Sequence, residues 1–261
     1  MINGKRIVIT GASSGIGSRI AWHVAENGGF PILIARSRDK LEKITEGIRQ
    51  NHSLNADYYV CDVGNEKEWQ GTMNQIVEDF GQIHVLINNA GFGLFQPVSD
   101  MKLTEFEDMY RVNVYALIQA SQIFASHMAE FGEGHIMNIA SQAGKMATPK
   151  AAGYAATKHA VVGFTHGLRM EVEQQGVFVT AVNLGPVKTN FFETADPSGG
   201  YAKSVDRYML DADKVAQKIV QKIYRPVREI NLPLWMELGS RIHKLFPHLV
   251  EKVLKGQFRK K

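Results

Sequence analysis

Six short runs rich in Ile and Val recur along this 261-residue chain, each followed by a longer stretch of helical periodicity. The runs are Arg6–Thr10, Ile32–Ala35, Tyr58–Cys61, Val85–Asn88, His135–Ala140 and Val177–Asn183. They are mostly free of charge, as strands covered on both faces must be. Helical segments are expected at about Gly15–Asn27, Arg38–Gln50, Glu66–Phe80, Leu103–Ala129 and Gly153–Gln174. Thr104 and Glu107 have the spacing of a capping box opening the fourth of these. Strand and helix alternating at this rhythm imply a parallel sheet with helices on both faces. From Leu184 to about Asp211 the pattern lapses around Gly185, Pro186, Pro197, Gly199 and Gly200. A loop that long inside a compact domain is usually functional or mobile. A helix at about Ala212–Tyr224 and a strand at Glu229–Leu232 then close the sheet. Residues 1–233 read as one domain and 234–261 as a helical extension that is not a domain of its own.

Composition narrows the class. Hydrophobic residues at 44% and charged residues at 21% suit a soluble globular chain with a sizeable core and exclude long disorder. The single Cys61 excludes an internal disulfide and fits a reducing compartment. No signal-like segment opens the chain and no run reaches the ~18–20 apolar residues of a membrane span, so the cytoplasm is the expected address. The net charge of +4 is unevenly placed. From Pro226 onward, eight basic residues against three acids leave +5, so the first 225 residues carry −1. The body is therefore not basic, which argues against nucleic acid as a partner.

The first strand runs directly into Thr10-Gly11-Ala12-Ser13-Ser14-Gly15-Ile16-Gly17, and a helix follows. Glycines there let the chain turn tightly and let backbone N–H groups approach a pyrophosphate, while the helix N-terminus adds partial positive charge. The G-x-x-x-G-x-G spacing is one residue longer than G-x-G-x-x-G. Alone it describes any tight strand-to-helix turn; after the first strand of such a sheet it points to a dinucleotide. An acid at the end of the second strand would hold the ribose 2′-OH of NAD. That place reads Ile34-Ala35-Arg36-Ser37-Arg38. Arg36 first and Arg38 second can grip a 2′-phosphate bidentately, with Ser37 as an extra donor, so NADP is the expected cofactor. Asp62 and Val63, at the end of the third strand, are placed to border the adenine.

Tyr154 and Lys158 lie four apart in a helical run and so share one face. A phenol with pKa near ~10 is a poor acid–base group at neutral pH, and an ammonium beside it favours the phenolate. This is the chain's one Y-x-x-x-K, a pattern too short to carry weight alone. Ser141 precedes it in the loop leaving the fifth strand, where parallel-sheet enzymes place their chemistry. Singly, Asn113 reads as a polar helix residue, Ser141 as a turn former and Tyr154 as a packed aromatic. Together with Asn88-Asn89-Ala90-Gly91, and in this order, the motifs resemble those of the short-chain dehydrogenases/reductases, in the branch of about 250 residues.

The resemblance spans about residues 4–232 and implies a Rossmann-like, doubly wound parallel sheet of about seven strands. It implies an NADP(H)-dependent carbonyl reductase or alcohol dehydrogenase. Tyr154 would donate the proton to the substrate carbonyl and Ser141 would orient the same oxygen. Lys158 would lower the Tyr154 pKa and bind the nicotinamide ribose, and Asn113 would anchor a water continuing the proton relay. Asn89, Ala90 and Gly91 would border the adenine ribose. The family usually has Pro-Gly after the sixth strand, where this chain has Leu184-Gly185-Pro186. Val187 and Thr189 keep the V-x-T that holds the nicotinamide carboxamide and a diphosphate oxygen in the family. Relatives usually pair through their fourth and fifth helices, so a homodimer or homotetramer is expected. The nine His residues show no H-E-x-x-H or Cys/His ligand spacing, so no metal is expected. The competing reading is an NADP-binding redox sensor or scaffold without turnover.

Phe92, Phe95, Met146, Phe191 and Phe192 are candidates to line a pocket, with Tyr201, Tyr208 and Met209 as its lid. They imply an apolar carbonyl or alcohol substrate of moderate size. In the tail, Leu238, Ile242, Leu245, Leu249 and Val253 recur at helical intervals between Lys and Arg, with a break at Pro247. Such a segment packs on its own subunit or a dimer partner, or lies on an anionic membrane surface; no nucleic-acid motif accompanies it.

Overall fold

The computed structural model describes residues 2–51 and 55–258. Arg259, Lys260 and Lys261 of the basic tail, and the side chain of Lys255, lie outside the described residues. Seven parallel strands form one sheet: β1 (Arg6–Thr10), β2 (Phe30–Ala35), β3 (Asp57–Val60), β4 (Val85–Asn88), β5 (Gly134–Ser141), β6 (Val177–Leu184) and β7 (Glu229–Leu232). Their spatial order is β3-β2-β1-β4-β5-β6-β7. The order reverses between β1 and β4, which opens a crevice above the carboxyl ends of those strands.

Side-chain alternation along the strands builds two cores. Ile7, Ile9, Leu33 and Ile87 face α1 (Gly15–Glu26), α2 (Arg38–Gln50) and a later helix. Val8, Ile32, Ile34 and Leu86 face the opposite layer, where Trp69, Met73 and Ile76 of α3 (Glu66–Phe80) and Phe124 are fully buried. Strand bounds match the sequence reading to within a residue or two. β2 begins two residues early, at Phe30, and takes in Pro31, which pairs with Ile7 on the β1 side. Pairing with β3 begins only at Ile32, so no ladder bond is lost where Pro31 lacks its N–H.

The expected fourth helix, Leu103–Ala129, is interrupted. It divides into α4 (Leu103–Tyr110), a π-helical turn at Arg111–Tyr115, and α5 (Ala116–Glu130). The cap also differs from expectation. Lys102 is the N-cap and its N–H donates to Glu105 Oε2 at 2.9 Å, so the helix starts before Thr104 and Glu107 can form the box. Further on, α6 (Ala152–Val172) carries Tyr154 and Lys158. The segment after β6 is not wholly irregular, since it holds two short helices, α7 (Phe191–Ala195) and α8 (Gly200–Val205). A longer one, α9 (Ala212–Val220), ends before Tyr224 and packs on the first core. The extension forms α10 (Leu234–Leu245) and α11 (Pro247–Phe258), broken at Pro247 as the sequence suggests. Among the described residues no helix is long and apolar enough to cross a membrane.

Candidate active site

The turn after β1 is built by close backbone approach. Gly11 has φ +66°, a region that favours glycine, and a Cβ there would meet Ala90 Cα at 2.8 Å. At Gly17 a Cβ would lie 2.4 Å from Gly11 O and 2.6 Å from Asn89 Nδ2. Thr10 Oγ1 accepts from the N–H groups of Asn89 and Ala90, both at 3.0 Å, while Asn89 Nδ2 donates to Thr10 O and Gly11 O. The β1 and β4 termini are thus sewn together across the switch point. Ser14 is the N-cap of α1 but its side chain makes no cap bond, and no acid stands in the first turn. Those N–H groups, from Gly15 and Ile16 onward, keep the partial positive charge that a pyrophosphate needs. Thr189 lies across this turn, its Cγ2 3.3 Å from where a Gly15 Cβ would be.

Beyond β2, the Arg36 side chain is 79% exposed and lies 3.9 Å from Asp62, too long for a tight pair. Arg38 opens α2, 3.7 Å from Glu42, and Ser37 caps that helix without a side-chain bond. Two loosely held guanidiniums and a hydroxyl without a capping bond therefore flank the crevice just beyond β2. Asp62 Oδ1 accepts from Gly64 N at 2.9 Å, which sets the loop after β3, and Val63 is buried beside it. The residues present fit a dinucleotide bearing a 2′-phosphate.

The chemistry-bearing side chains converge at the carboxyl ends of β4 and β5. Ser141 is the last residue of β5; its hydroxyl donates to Leu184 O at 3.2 Å and accepts from Ala143 N at 3.1 Å. Tyr154 and Lys158 rise from α6 and are 8% and 5% exposed. Burial pushes the Tyr154 phenol above its ordinary value, the hydrogen bond with Ser141 pulls it back, and Tyr201 pushes it up again. Burial pushes the Lys158 ammonium down to about 8. Lys158 Nζ donates to Ile139 O at 2.9 Å and lies 5.8 Å from the Tyr154 ring centroid. In this structure the downward pull on the phenol comes from Ser141, whereas the sequence reading assigns it to Lys158.

Asn113 sits in the π-helical turn. Such a turn admits an extra residue and re-aims the side chains around it, and these turns gather at functional sites. Its Oδ1 accepts from Phe92 N at 2.9 Å, and its Nδ2 donates to Phe92 O and Thr157 Oγ1. The side chain thus clamps the loop after β4 to α6. Gly91 is at the centre of the cluster, since a Cβ there would lie 2.9 Å from Asn113 Oδ1 and 3.6 Å from Lys158 Nζ. Pro186 O accepts from Leu210 N at 2.8 Å, and Val187 forms a bridge with Leu210, fixing the start of the long segment. Among the described residues, no group of three His, Cys, Asp or Glu side chains is placed to hold a metal ion.

Around Tyr154 stands an aromatic cage. Phe95 lies 5.8 Å from the Tyr154 ring and 5.1 Å from Tyr201, and Phe191 lies 5.6 Å from Tyr154. Phe192 closes the group against Phe95 and Phe191. Phe95 N donates to Ala195 O at 2.7 Å, which ties the loop after β4 to α7. Phe92 contributes its backbone to the Asn113 clamp. Tyr208, expected in the lid, instead meets Trp235 of α10 at 5.8 Å.

Comparison with known proteins matches residues 5–198 to the family model described as short chain dehydrogenase. The chain belongs to the short-chain dehydrogenase family. It is 32% identical over 226 residues to an uncharacterized oxidoreductase of Staphylococcus aureus (strain N315), covering 87% of this chain and 94% of the relative. An alcohol dehydrogenase from Thermococcus sibiricus, complexed with 5-hydroxy-NADP, superposes with TM-score 0.77 at 28% identity, covering 88% of this chain and 95% of that one. An NAD+-bound xylitol dehydrogenase superposes with TM-score 0.79 at 26% identity, covering 88% and 98%.

Sequence reasoning missed the supports of this site. Asn88 Nδ2 donates to Asn138 Oδ1 and Ser121 Oγ, and Asn138 Nδ2 to Thr165 Oγ1, a buried polar chain linking β4 and β5 to α5 and α6. It also missed Lys145, which is buried and contacts Glu229, Asn231 and Glu237. An uninterrupted Asn88-Asn89 pair ending an apolar strand was the one available hint of the first; the second left none.

Proposed function

We propose that this chain is an NADP(H)-dependent oxidoreductase that transfers hydride between the nicotinamide and an apolar carbonyl or alcohol substrate. The observation that carries the reading is the buried meeting of Tyr154, Ser141 and Lys158 beneath an aromatic cage at the carboxyl end of the sheet. When bound, the nicotinamide supplies or accepts the hydride. Burial keeps the Tyr154 phenol protonated, which suits a proton donor to a carbonyl oxygen during reduction. Ser141, the neighbour that pulls that phenol down, orients the same oxygen. Lys158 holds a positive charge below about pH 8 and steadies the ribose side of the site. Asn113 fixes the loop carrying Gly91 and Phe92.

The preference for NADP rests on Arg36, with Arg38 and Ser37 beside it, and on the lack of an acid at the end of β2. Gly11, Ser13, Ser14 and Gly17 form the phosphate turn, and Pro186, Val187 and Thr189 the clamp opposite. The enzyme acts as a homodimer or homotetramer through α5 and α6, where Tyr115, just before α5, and Met170 of α6 are exposed, and resides in the cytoplasm. Tyr154→Phe should leave NADPH binding intact and lower NADPH oxidation with a panel of diketones, quinones, aldehydes and steroids by about 10²–10⁴-fold. Wild-type protein that binds NADPH and oxidises it with no member of the panel would instead support a redox sensor.

A further inference from the structure

Helix α10 is mounted with its polar side inward. Glu237 and Ser240 are buried against the body, whereas Leu234, Trp235, Leu238, Ile242 and Leu245 stand on the outer face. Leu234 and Leu245 are 74% and 73% exposed, and Leu249 and Val253 of α11 are exposed as well. The inward turn has a cause: Lys145 lies beneath α10 and draws the Glu237 carboxylate into the interior. The apolar stripe is therefore not what packs the extension onto its own subunit, contrary to one reading of its periodicity. An exposed apolar face of this extent marks a surface that meets something else.

Charge says what that is. Arg241, Lys244 and Lys252 are exposed beside the apolar stripe, and the segment from Pro226 onward carries +5 in the sequence. A second copy of this chain, packed about a twofold axis, would set that positive segment against itself. An anionic lipid surface complements both properties at once: headgroups face the lysines and acyl chains receive the leucines. Trp235 suits the boundary, having an apolar ring with a polar N–H.

We propose that the outer face of α10 and α11 docks on an anionic lipid bilayer. The same helix is fastened to the rim of the candidate site. The Trp235 ring lies tilted against Tyr208 of the long segment after β6, 5.8 Å between centroids, and Met236 abuts Gly185, where a Cβ would lie 2.7 Å from its Sδ. Docking therefore sets the entrance of the aromatic cage against the membrane, and an apolar substrate dissolved in the bilayer reaches it without crossing water. That last step rests on the function proposed above; the docking does not.

The test is co-sedimentation of the full chain with vesicles of phosphatidylcholine alone and of phosphatidylcholine containing phosphatidylglycerol. Pelleting is expected with the anionic vesicles and should weaken about fivefold for each lysine removed in Lys244→Gln and Lys252→Gln. Leu238→Gln with Leu245→Gln should abolish it while the thermal shift produced by NADPH, which reports the fold, stays unchanged. Absence of pelleting with anionic vesicles, or equal pelleting with neutral ones, overturns the proposal. So does a Leu238→Gln/Leu245→Gln protein that light scattering shows to have fallen from dimer to monomer, since the face then belongs to a second copy. Each of these readouts is independent of turnover, so the docking can fail while the oxidoreductase reading stands.

Discussion

Replacing Lys145 by Ala tests how the extension is held to the catalytic body. Lys145 is 8% exposed, and its Nζ lies 2.5 Å from Glu229 Oε2 of β7, 2.9 Å from Asn231 Oδ1, and in contact with Glu237 of α10. One ammonium thus neutralises two carboxylates that are themselves mostly buried. Removing one member of a buried ion pair costs about 3–5 kcal/mol, because the remaining charge is left without compensation. Here Arg241, 2.7 Å from Glu237, retains part of that compensation, so about 3 kcal/mol is the value to expect. In a chain of this size that is a fall in Tm of roughly 6–12 °C. Burial alone would raise the Glu229 carboxyl, but Lys145 and Asn231 outweigh it and hold it at about 2, against an ordinary 4.5.

A depressed carboxyl stabilises the fold fully above its unfolded value and loses that contribution as pH falls through the folded one. The gap between wild type and Lys145→Ala should therefore be widest at neutral pH and shrink between about pH 4.5 and pH 2. Thermal melts followed by circular dichroism across that range measure it. A companion protein with Lys145→Met, Glu229→Gln and Glu237→Gln removes all three charges and should recover most of the loss. If Lys145→Ala melts within a degree or two of wild type at pH 7, or the triple variant is as unstable as the single one, the ion cluster is not what secures α10.

Two further outcomes are expected. Arg36→Asp should weaken NADPH binding by at least about tenfold and NADH binding far less, as measured by fluorescence titration; equal losses would remove Arg36 from the 2′-phosphate site. Asn113→Ala deprives Phe92 N and Phe92 O of their side-chain partner and Thr157 Oγ1 of one of its two, in a buried setting, at about 2 kcal/mol. It should lower Tm by roughly 4–8 °C and reduce kcat more than NADPH affinity, since the clamp lies on the substrate side of the crevice.

What could be read from the chain alone was local. The strands showed as Ile/Val runs because a sheet covered on both faces excludes charge over consecutive residues, as in Val85–Asn88 and Val177–Leu184. The phosphate turn showed because its glycines fall within seven residues directly after the first strand, and the Tyr154/Lys158 pair because one helical turn fixes their spacing. The interrupted fourth helix was not legible: Arg111–Tyr115 has ordinary helix composition, and the π turn arises where Asn113 must reach Phe92, 21 residues away in sequence.

Only the tertiary structure decided which way the extension faces. Its periodicity announced an amphipathic helix, and a helix of that kind ordinarily turns its apolar stripe inward. Lys145 is 84 residues from Glu229 and 92 from Glu237, and the order β5-β6-β7 brings them together. A buried ammonium must find carboxylates, so Glu237 turned in and the leucines were left out. Short-range pattern records what each segment prefers. Which preference prevails is settled by groups far apart in the chain that the sheet makes neighbours.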